Sequence, residues 1–199
     1  MKFREPVLFA AWAFDFALLG QSTLPKVSSQ GVPLKYERGQ AAGFEALPVY
    51  KVSSDLEFVT GLAFYPRVFL FDVSDFFFTE NFTLLTFEIP LRARVRLVGP
   101  LFIESGFYFT QTVGPVRSTV ENLTGIYSHI KSYSDYGLST REAGLSVGLH
   151  APFTWPGLVQ PGFASFHYQH GLTNPSMRPD VMWHYRSFQL LIGFRFDSL

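Results

Sequence analysis

Residues 88–96 read Glu-Ile-Pro-Leu-Arg-Ala-Arg-Val-Arg and alternate between charged and apolar side chains. In an extended strand, successive side chains point to opposite faces of the sheet. One face would then carry Glu88, Arg92, Arg94 and Arg96, and the other Ile89, Leu91, Ala93 and Val95. Several further segments combine a charged or glycine-rich face with a large apolar face. This arrangement predicts a barrel with a lipid-facing exterior and a polar interior.

The composition agrees with a membrane barrel. The 199 residues are 47% hydrophobic and include 23 Phe, more than the core of a soluble domain of this size readily encloses. The formal net charge is zero, and a nucleic-acid partner would require a basic face, so we expect none. The absence of cysteine excludes disulfides and thiolate metal sites.

Alternation of period two predicts eight strands. No run of about 18 apolar residues is present, so a membrane-spanning helix is not expected. The predicted strands cover residues 7–20, 42–52, 56–70, 82–97, 101–113, 140–151, 162–173 and 187–196. The sequence therefore predicts a single domain over residues 1–199, an all-β, eight-stranded antiparallel up-and-down transmembrane β-barrel.

The predicted connections alternate between short turns and long polar loops at 21–40, 114–139 and 174–186. Membrane barrels place short turns in the periplasm, so we expect both termini there, in a bacterial outer membrane. The first 20 residues resemble an export signal, but Asp15 and the alternation favour a strand, so we expect the true signal to be missing from this chain. Pro48, Pro66 and Pro90 fall inside strands and predict a bulge or a broken ladder.

The charged side chains of the predicted inner face have nearby partners of opposite sign. An unpaired charge would be costly there, and an eight-stranded barrel has an interior that side chains can fill. We expect an ion-pair network that plugs and rigidifies the barrel; the alternative is a proton or anion path along the arginine row. The predicted members are Glu45, Lys51, Glu57, Arg67, Glu88, Arg92, Arg94, Arg96, Glu104, Glu142 and Arg195.

The five histidines do not suggest a metal site, because His167 and His170 would fall on opposite faces of one strand. We expect no cofactor and no metal. An outer-membrane hydrolase would require a serine, a histidine and a carboxylate together. Ser187 is the nearest serine to His170 on the following strand, no outward carboxylate joins them, and no nucleophile can be named.

Aromatic residues suggest a contact surface. Three adjacent phenylalanines cannot all face lipid on one strand, so Phe76, Phe77 and Phe78 are a candidate protein contact. Trp155 and Trp183 are typical of the aromatic girdle at the membrane rims.

Four segments resemble the PorT-like outer-membrane β-barrel family of Bacteroidetes. They are residues 87–91 (Phe-Glu-Ile-Pro-Leu), 98–106 (Val-Gly-Pro-Leu-Phe-Ile-Glu-Ser-Gly), 170–174 (His-Gly-Leu-Thr-Asn) and 188–196 (Phe-Gln-Leu-Leu-Ile-Gly-Phe-Arg-Phe). The resemblance implies a barrel that acts as a structural or accessory subunit of an envelope complex of the secretion or assembly type. Its partners would be outer-membrane lipid or lipopolysaccharide and other envelope proteins.

Two other functions remain open from the sequence, an outer-membrane lipid-modifying enzyme and a small pore or ligand carrier. The competing architecture is a soluble lipocalin-type barrel, which requires the inverse polarity, apolar inside and polar outside.

Overall fold

The computed structural model describes residues 11–29, 32–34, 36–73, 78–122, 124–132, 135, 138–154, 156–177 and 181–197. Within these ranges the chain forms antiparallel strands. They are β1 (Ala11–Ser29), β2 (Val32–Leu34), β3 (Tyr36–Lys51), β4 (Leu56–Thr60), β5 (Leu62–Val73), β6 (Phe78–Val98), β7 (Leu101–Asn122), β8 (Gly125–Lys131), β9 (Arg141–Phe153), β10 (Gly162–Gly171) and β11 (Val181–Asp197). No helix in the described ranges is both long enough and apolar enough to cross a membrane.

The strands close into a ring. β1 pairs with β3 on one side and with β11 on the other, and the remaining strands follow in chain order between them. β4 and β5 are two parts of one strand, separated at Gly61, β2 extends the start of β3, and β8 is a hairpin strand that pairs with β7. The ring therefore has eight strand paths, which confirms the predicted antiparallel up-and-down barrel.

The two faces of the barrel wall have opposite polarity. Phe14, Leu91 and Phe194 point outward and are 44%, 46% and 42% exposed, whereas Arg94 and Glu104 point inward and are 1% exposed. The soluble barrel with an apolar interior is therefore wrong, because the large apolar side chains cover the outside.

The strands extend well beyond the predicted ends at the long-loop side of the barrel. β1 continues to Ser29, β7 continues to Asn122 and β11 begins at Val181. The predicted loops 21–40, 114–139 and 174–186 are thus in large part hairpin extensions. The apolar alternation stops short of the strand ends, but backbone pairing continues, because backbone groups pair without regard to side-chain polarity. Residues 7–10 of the first predicted strand lie outside the described residues.

Proline interrupts the ladder, as predicted. Pairing stops at Gly61, which has a φ of 143°, beside Pro48 of β3. Pro90 of β6 lies at the same level, since β6 pairs with β4 as far as Leu91 and resumes with β5 at Glu88. Pro66 lies where the register between β3 and β5 shifts. Each proline lacks the N–H that a continuous ladder would need.

An apolar cluster fills the interior at the long-hairpin end. Its members are Val27, Phe82, Leu84, Val116, Leu138, Trp183 and Tyr185. The prediction that Trp183 belongs to an interfacial girdle is therefore wrong; it is 7% exposed and shares the inner face of β11 with Tyr185, because that strand begins earlier than predicted. Trp155, Phe76 and Phe77 lie outside the described residues. Phe78 opens β6 opposite Val73, and its side chain is likewise not described.

Candidate functional site

The inward side chains of β6 show how the interior of the barrel changes from the short turns to the long hairpins. From the turn that joins β6 to β7, the first is the exposed Arg96, followed by the buried Arg94, Arg92 and Glu88. The apolar Leu84 and Phe82 follow toward the long hairpins. The apolar cluster of Val27, Phe82, Leu84, Val116, Leu138, Trp183 and Tyr185 therefore covers a charged layer of the interior. We call the cluster the apolar cap and the charged layer the interior network. Its members are Asp15, Glu45, Glu57, Arg67, Glu88, Arg92, Arg94, Glu104, Glu142 and Arg195.

Two arginines and two carboxylates form the part of the interior network nearest the short turns. Arg195 Nη1 donates to Glu57 Oε1 at 2.9 Å, and Arg195 Nε donates to Asp15 Oδ1 at 2.7 Å. Arg94 Nη1 bonds to the other oxygens of the same carboxylates, at 3.1 Å from Asp15 Oδ2 and 3.0 Å from Glu57 Oε2. This part is charge-balanced and joins β1, β4, β6 and β11.

Arg92 lies at the centre of the next part. Its guanidinium is within 3.4 Å of Glu45, 3.2 Å of Glu88 and 3.3 Å of Glu104. Glu104 is shared, since Arg94 Nε also donates to it at 3.1 Å. Three carboxylates therefore contact Arg92, and one of them also contacts Arg94, which the balanced part shares. Negative charge is in excess in this part of the interior network.

Neutral donors compensate the carboxylate of Glu88. Tyr65 Oη donates to Glu88 Oε2 at 2.6 Å, and Gln169 Nε2 donates to Glu88 Oε1 at 2.7 Å. Gln169 in turn accepts hydrogen bonds from Ser187 and Gln189. These bonds connect the charged layer to β10 and β11 without adding charge, which lowers the cost of burying the carboxylate.

In the part nearest the long hairpins, Arg67 Nη1 forms an ion pair with Glu142 Oε2 at 2.6 Å. Tyr108 Oη donates to Glu142 Oε1 at 2.9 Å, and the Arg67 guanidinium lies 4.3 Å from the centroid of the Tyr185 ring. The Tyr185 ring belongs to the apolar cap. Arg67 therefore links the interior network to the cap through a cation–π contact.

Two of the predicted members, Lys51 and Arg96, lie outside the enclosed layer. The Arg96 side chain is 40% exposed, pairs with Asp55 at 2.9 Å and donates to the Ser54 carbonyl. Lys51 pairs with Asp197, whose side chain is 54% exposed. Both lie near the short turns, where the barrel opens to solvent.

Sequence reasoning missed Asp15, which contacts both Arg94 and Arg195. Alternation does indicate it, because Asp15 shares the inner face of β1 with Ala13 and Ala17. The roles of Tyr65, Tyr108 and Gln169 as neutral donors were also missed. Their partners are at least 23 residues away in the chain, so no local pattern indicates them.

The described residues do not assemble a catalytic group on the wall. His170 points outward while Ser187 points inward to Gln169, so the two lie on opposite sides of the barrel wall. A serine–histidine pair exists elsewhere: His150 Nδ1 lies 2.8 Å from Ser165 Oγ, but both side chains are enclosed. In the ranges that the structure describes, no three histidine, aspartate or glutamate side chains are placed to hold a metal ion.

No protein-family model and no curated protein sequence matches the chain. Solved structures of outer-membrane proteins do. The outer membrane protein OprG of Pseudomonas aeruginosa superposes with a TM-score of 0.51 at 10% identity, over 97% of this chain and 98% of OprG. Neisserial surface protein A gives 0.43 at 15% identity, over 91% and 96% of the chains. The attachment invasion locus protein Ail of Yersinia pestis gives 0.42 at 15% identity, over 94% and 100%. The chain has the fold of outer-membrane β-barrels.

Proposed function

We propose that this protein is an integral outer-membrane barrel with a closed interior, acting as a structural or accessory subunit of an envelope complex. Both termini lie on the periplasmic side, and the long hairpins face outward. The resemblance to PorT-like proteins supports a complex of the secretion or assembly type.

The closed interior is the observation on which this proposal rests. The side chains of Arg92 and Glu88 are 0% exposed, and those of Arg94 and Glu104 are 1% exposed. A passage wide enough for water would leave these polar groups accessible. Because they are instead in contact with one another across the barrel, the interior network supports a plug and argues against a pore.

The outer surface supports insertion in a membrane. On β11 the outward side chains from Phe188 to Phe196 are all apolar and between 41% and 53% exposed. Such a band is about the 9–11 residues that a tilted strand needs to cross the hydrocarbon core. In water this surface would be a large exposed apolar patch.

The outer hairpin of β7 and β8 offers a surface for a protein partner. Ile126 and Ile130 on β8 are 69% and 68% exposed, and Tyr127 beside them is 47% exposed. Beyond the membrane, apolar side chains at this exposure are typical of a contact with another protein. This surface supports the accessory role, because it offers a place for another protein to bind. The closed interior supports the same role, because it provides no route for transport.

Conductance and complex isolation test the proposal. The purified barrel reconstituted in planar bilayers should add no ion conductance, and a reproducible single-channel conductance would contradict the closed interior.

Extracted from native outer membranes in mild detergent, the protein should migrate with a stoichiometric partner. The variant Ile126→Ser/Ile130→Ser should release that partner, whereas Val159→Ser, at an exposed apolar position near the other end, should not. Migration of the wild type as a free monomer would contradict the accessory role.

A further inference from the structure

Five basic or imidazole side chains lie close together on the outer wall near the long-hairpin end. They are Lys26 of β1, Arg38 of β3, His170 of β10, and His184 and Arg186 of β11, and we call them the cationic patch. All five belong to the outward face of the wall, whereas the interior network lies on the inward face.

Strand register brings these residues together. Lys26 pairs with His184 across β1 and β11, and Arg186 pairs with His170 across β11 and β10. Directly paired residues on neighbouring strands have Cβ atoms about 4.5–5.5 Å apart. The Arg38 guanidinium reaches to 6.0 Å from the Phe188 ring on β11. Lys26, His170, His184 and Arg186, with Met182, line one open depression of about 290 Å³.

Among the described residues, no carboxylate neutralises the charge of the patch. In the part of the chain that the structure describes, none of its five side chains forms an ion pair with a carboxylate. His184 Nδ1 and Arg186 Nε are buried and make no hydrogen bond to any described residue. The opposite end of the barrel differs, since Lys51 pairs there with Asp197 and Arg96 with Asp55.

The patch also lies at a particular depth. On β11 Arg186 is the first outward residue beyond the apolar band that ends at Phe188, and on β1 Lys26 follows the exposed Leu24. A basic side chain at this position is at the level of lipid headgroups. Uncompensated charge next to hydrocarbon is costly, and a bound anion removes that cost.

We propose that the cationic patch binds the phosphate groups of an outer-leaflet phosphorylated glycolipid, the lipopolysaccharide of the outer membrane. Arginine and phosphate form charge-assisted, often bidentate hydrogen bonds, which Arg186 and Arg38 can supply. Lys26 adds a point charge, and the apolar side chains of Phe188 and Leu24 lie below for the acyl chains. The inference rests on the proposed orientation, with the long hairpins in the outer leaflet.

Lipid binding to the full-length barrel in detergent micelles tests this inference, with native mass spectrometry as the readout. The probes are bis-phosphorylated lipid A, the same lipid with its phosphates removed, and inorganic phosphate. We expect the wild type to bind the phosphorylated lipid at least about tenfold more tightly than the dephosphorylated one, because removing the phosphates removes the acceptors of the charge-assisted hydrogen bonds from the basic side chains. Equal binding of the two lipids would overturn the inference, as would saturation of the site by inorganic phosphate at micromolar concentration.

The variant Lys26→Gln/Arg186→Gln should lose this preference for phosphate. The matched control Arg117→Gln/Arg141→Gln removes two charges from other strands at the same end and should keep it. Equal loss in both variants would indicate a diffuse charge effect and would overturn a site at the patch. Heat-modifiable gel mobility reports whether each variant is folded. A folded, non-conducting barrel without phosphate preference would overturn this inference alone and leave the proposed function intact.

Discussion

Arg195 and Asp15 are separated by 180 residues in the chain, yet the guanidinium of Arg195 donates two hydrogen bonds to the carboxylate of Asp15, at 2.7 and 2.9 Å. The two residues are paired across the first and last strands of the ring. The seam of the barrel is therefore closed from inside by a bidentate ion pair as well as by the backbone ladder. Arg94 binds the same carboxylate and connects the seam to β6.

Replacing Asp15 by Asn should weaken the barrel strongly. Removing one partner of a buried ion pair leaves the other charge uncompensated, at a cost of about 3–5 kcal/mol. The free energy of unfolding by urea in lipid vesicles measures the loss. Asp197→Asn is the matched control, because Asp197 pairs with Lys51 at the exposed rim and such pairs contribute about 0–1 kcal/mol. Equal losses in the two variants would show that the Asp15 carboxylate does not stabilise the seam.

The two carboxylates Glu45 and Glu57 should respond differently to neutralisation. Among the described residues Glu45 forms one ion pair, with Arg92 at 3.4 Å, in the part of the interior network where negative charge is in excess. Glu57 binds both Arg94 and Arg195 in the balanced part. We expect Glu45→Gln to change the free energy of unfolding by less than about 1 kcal/mol, or to raise it, and Glu57→Gln to lower it by about 3–5 kcal/mol. The reverse order would contradict the charge distribution described here.

Placing an arginine in the apolar band should show whether the outer wall faces lipid or water. Leu91 is 46% exposed, so in water Leu91→Arg would have little effect. In a bilayer the same change should cost about 2–4 kcal/mol, because the arginine would lie within the hydrocarbon. Val159 is 92% exposed between β9 and β10, and Val159→Arg should leave stability nearly unchanged. Folding yield and unfolding free energy in vesicles provide the measurement; equal values for both variants would argue that the band does not face lipid.

Gly106 permits close contact between β6 and β7. A Cβ atom at this position would collide with the Leu91 carbonyl oxygen and lie 2.7 Å from the Arg92 Cα. Gly106→Ala should therefore destabilise the barrel by about 1–3 kcal/mol and displace Arg92, the central residue of the interior network. At Gly20 the nearest atom to an added Cβ is 3.9 Å away, so Gly20→Ala is the control. Thermal unfolding in detergent compares the two, and similar midpoints would exclude a packing role for Gly106.

Much of the barrel could be predicted because the wall has only two faces. Alternation alone predicts that Glu57, Arg94 and Glu104 point inward, and all three side chains are buried in the structure. The strand ends were predicted less well. The apolar alternation of β11 begins at residue 187 and so predicts Trp183 in an outer loop, yet backbone pairing begins at Val181. Side-chain polarity marks the limits of the apolar band, and it does not mark the limits of the hydrogen-bond ladder.

The sequence by itself determined the class of fold and the side of the wall on which each spanning residue lies, because a strand alternates with a period of two and lipid tolerates few charges. Only the tertiary structure decided which charges meet. Arg195 reaches Asp15 because the last strand returns to the first, and Lys26 comes close to His184 and Arg186 because the pairing of β1 with β11 sets that register. Ring closure and register join segments far apart in the chain, and no local pattern records those partners.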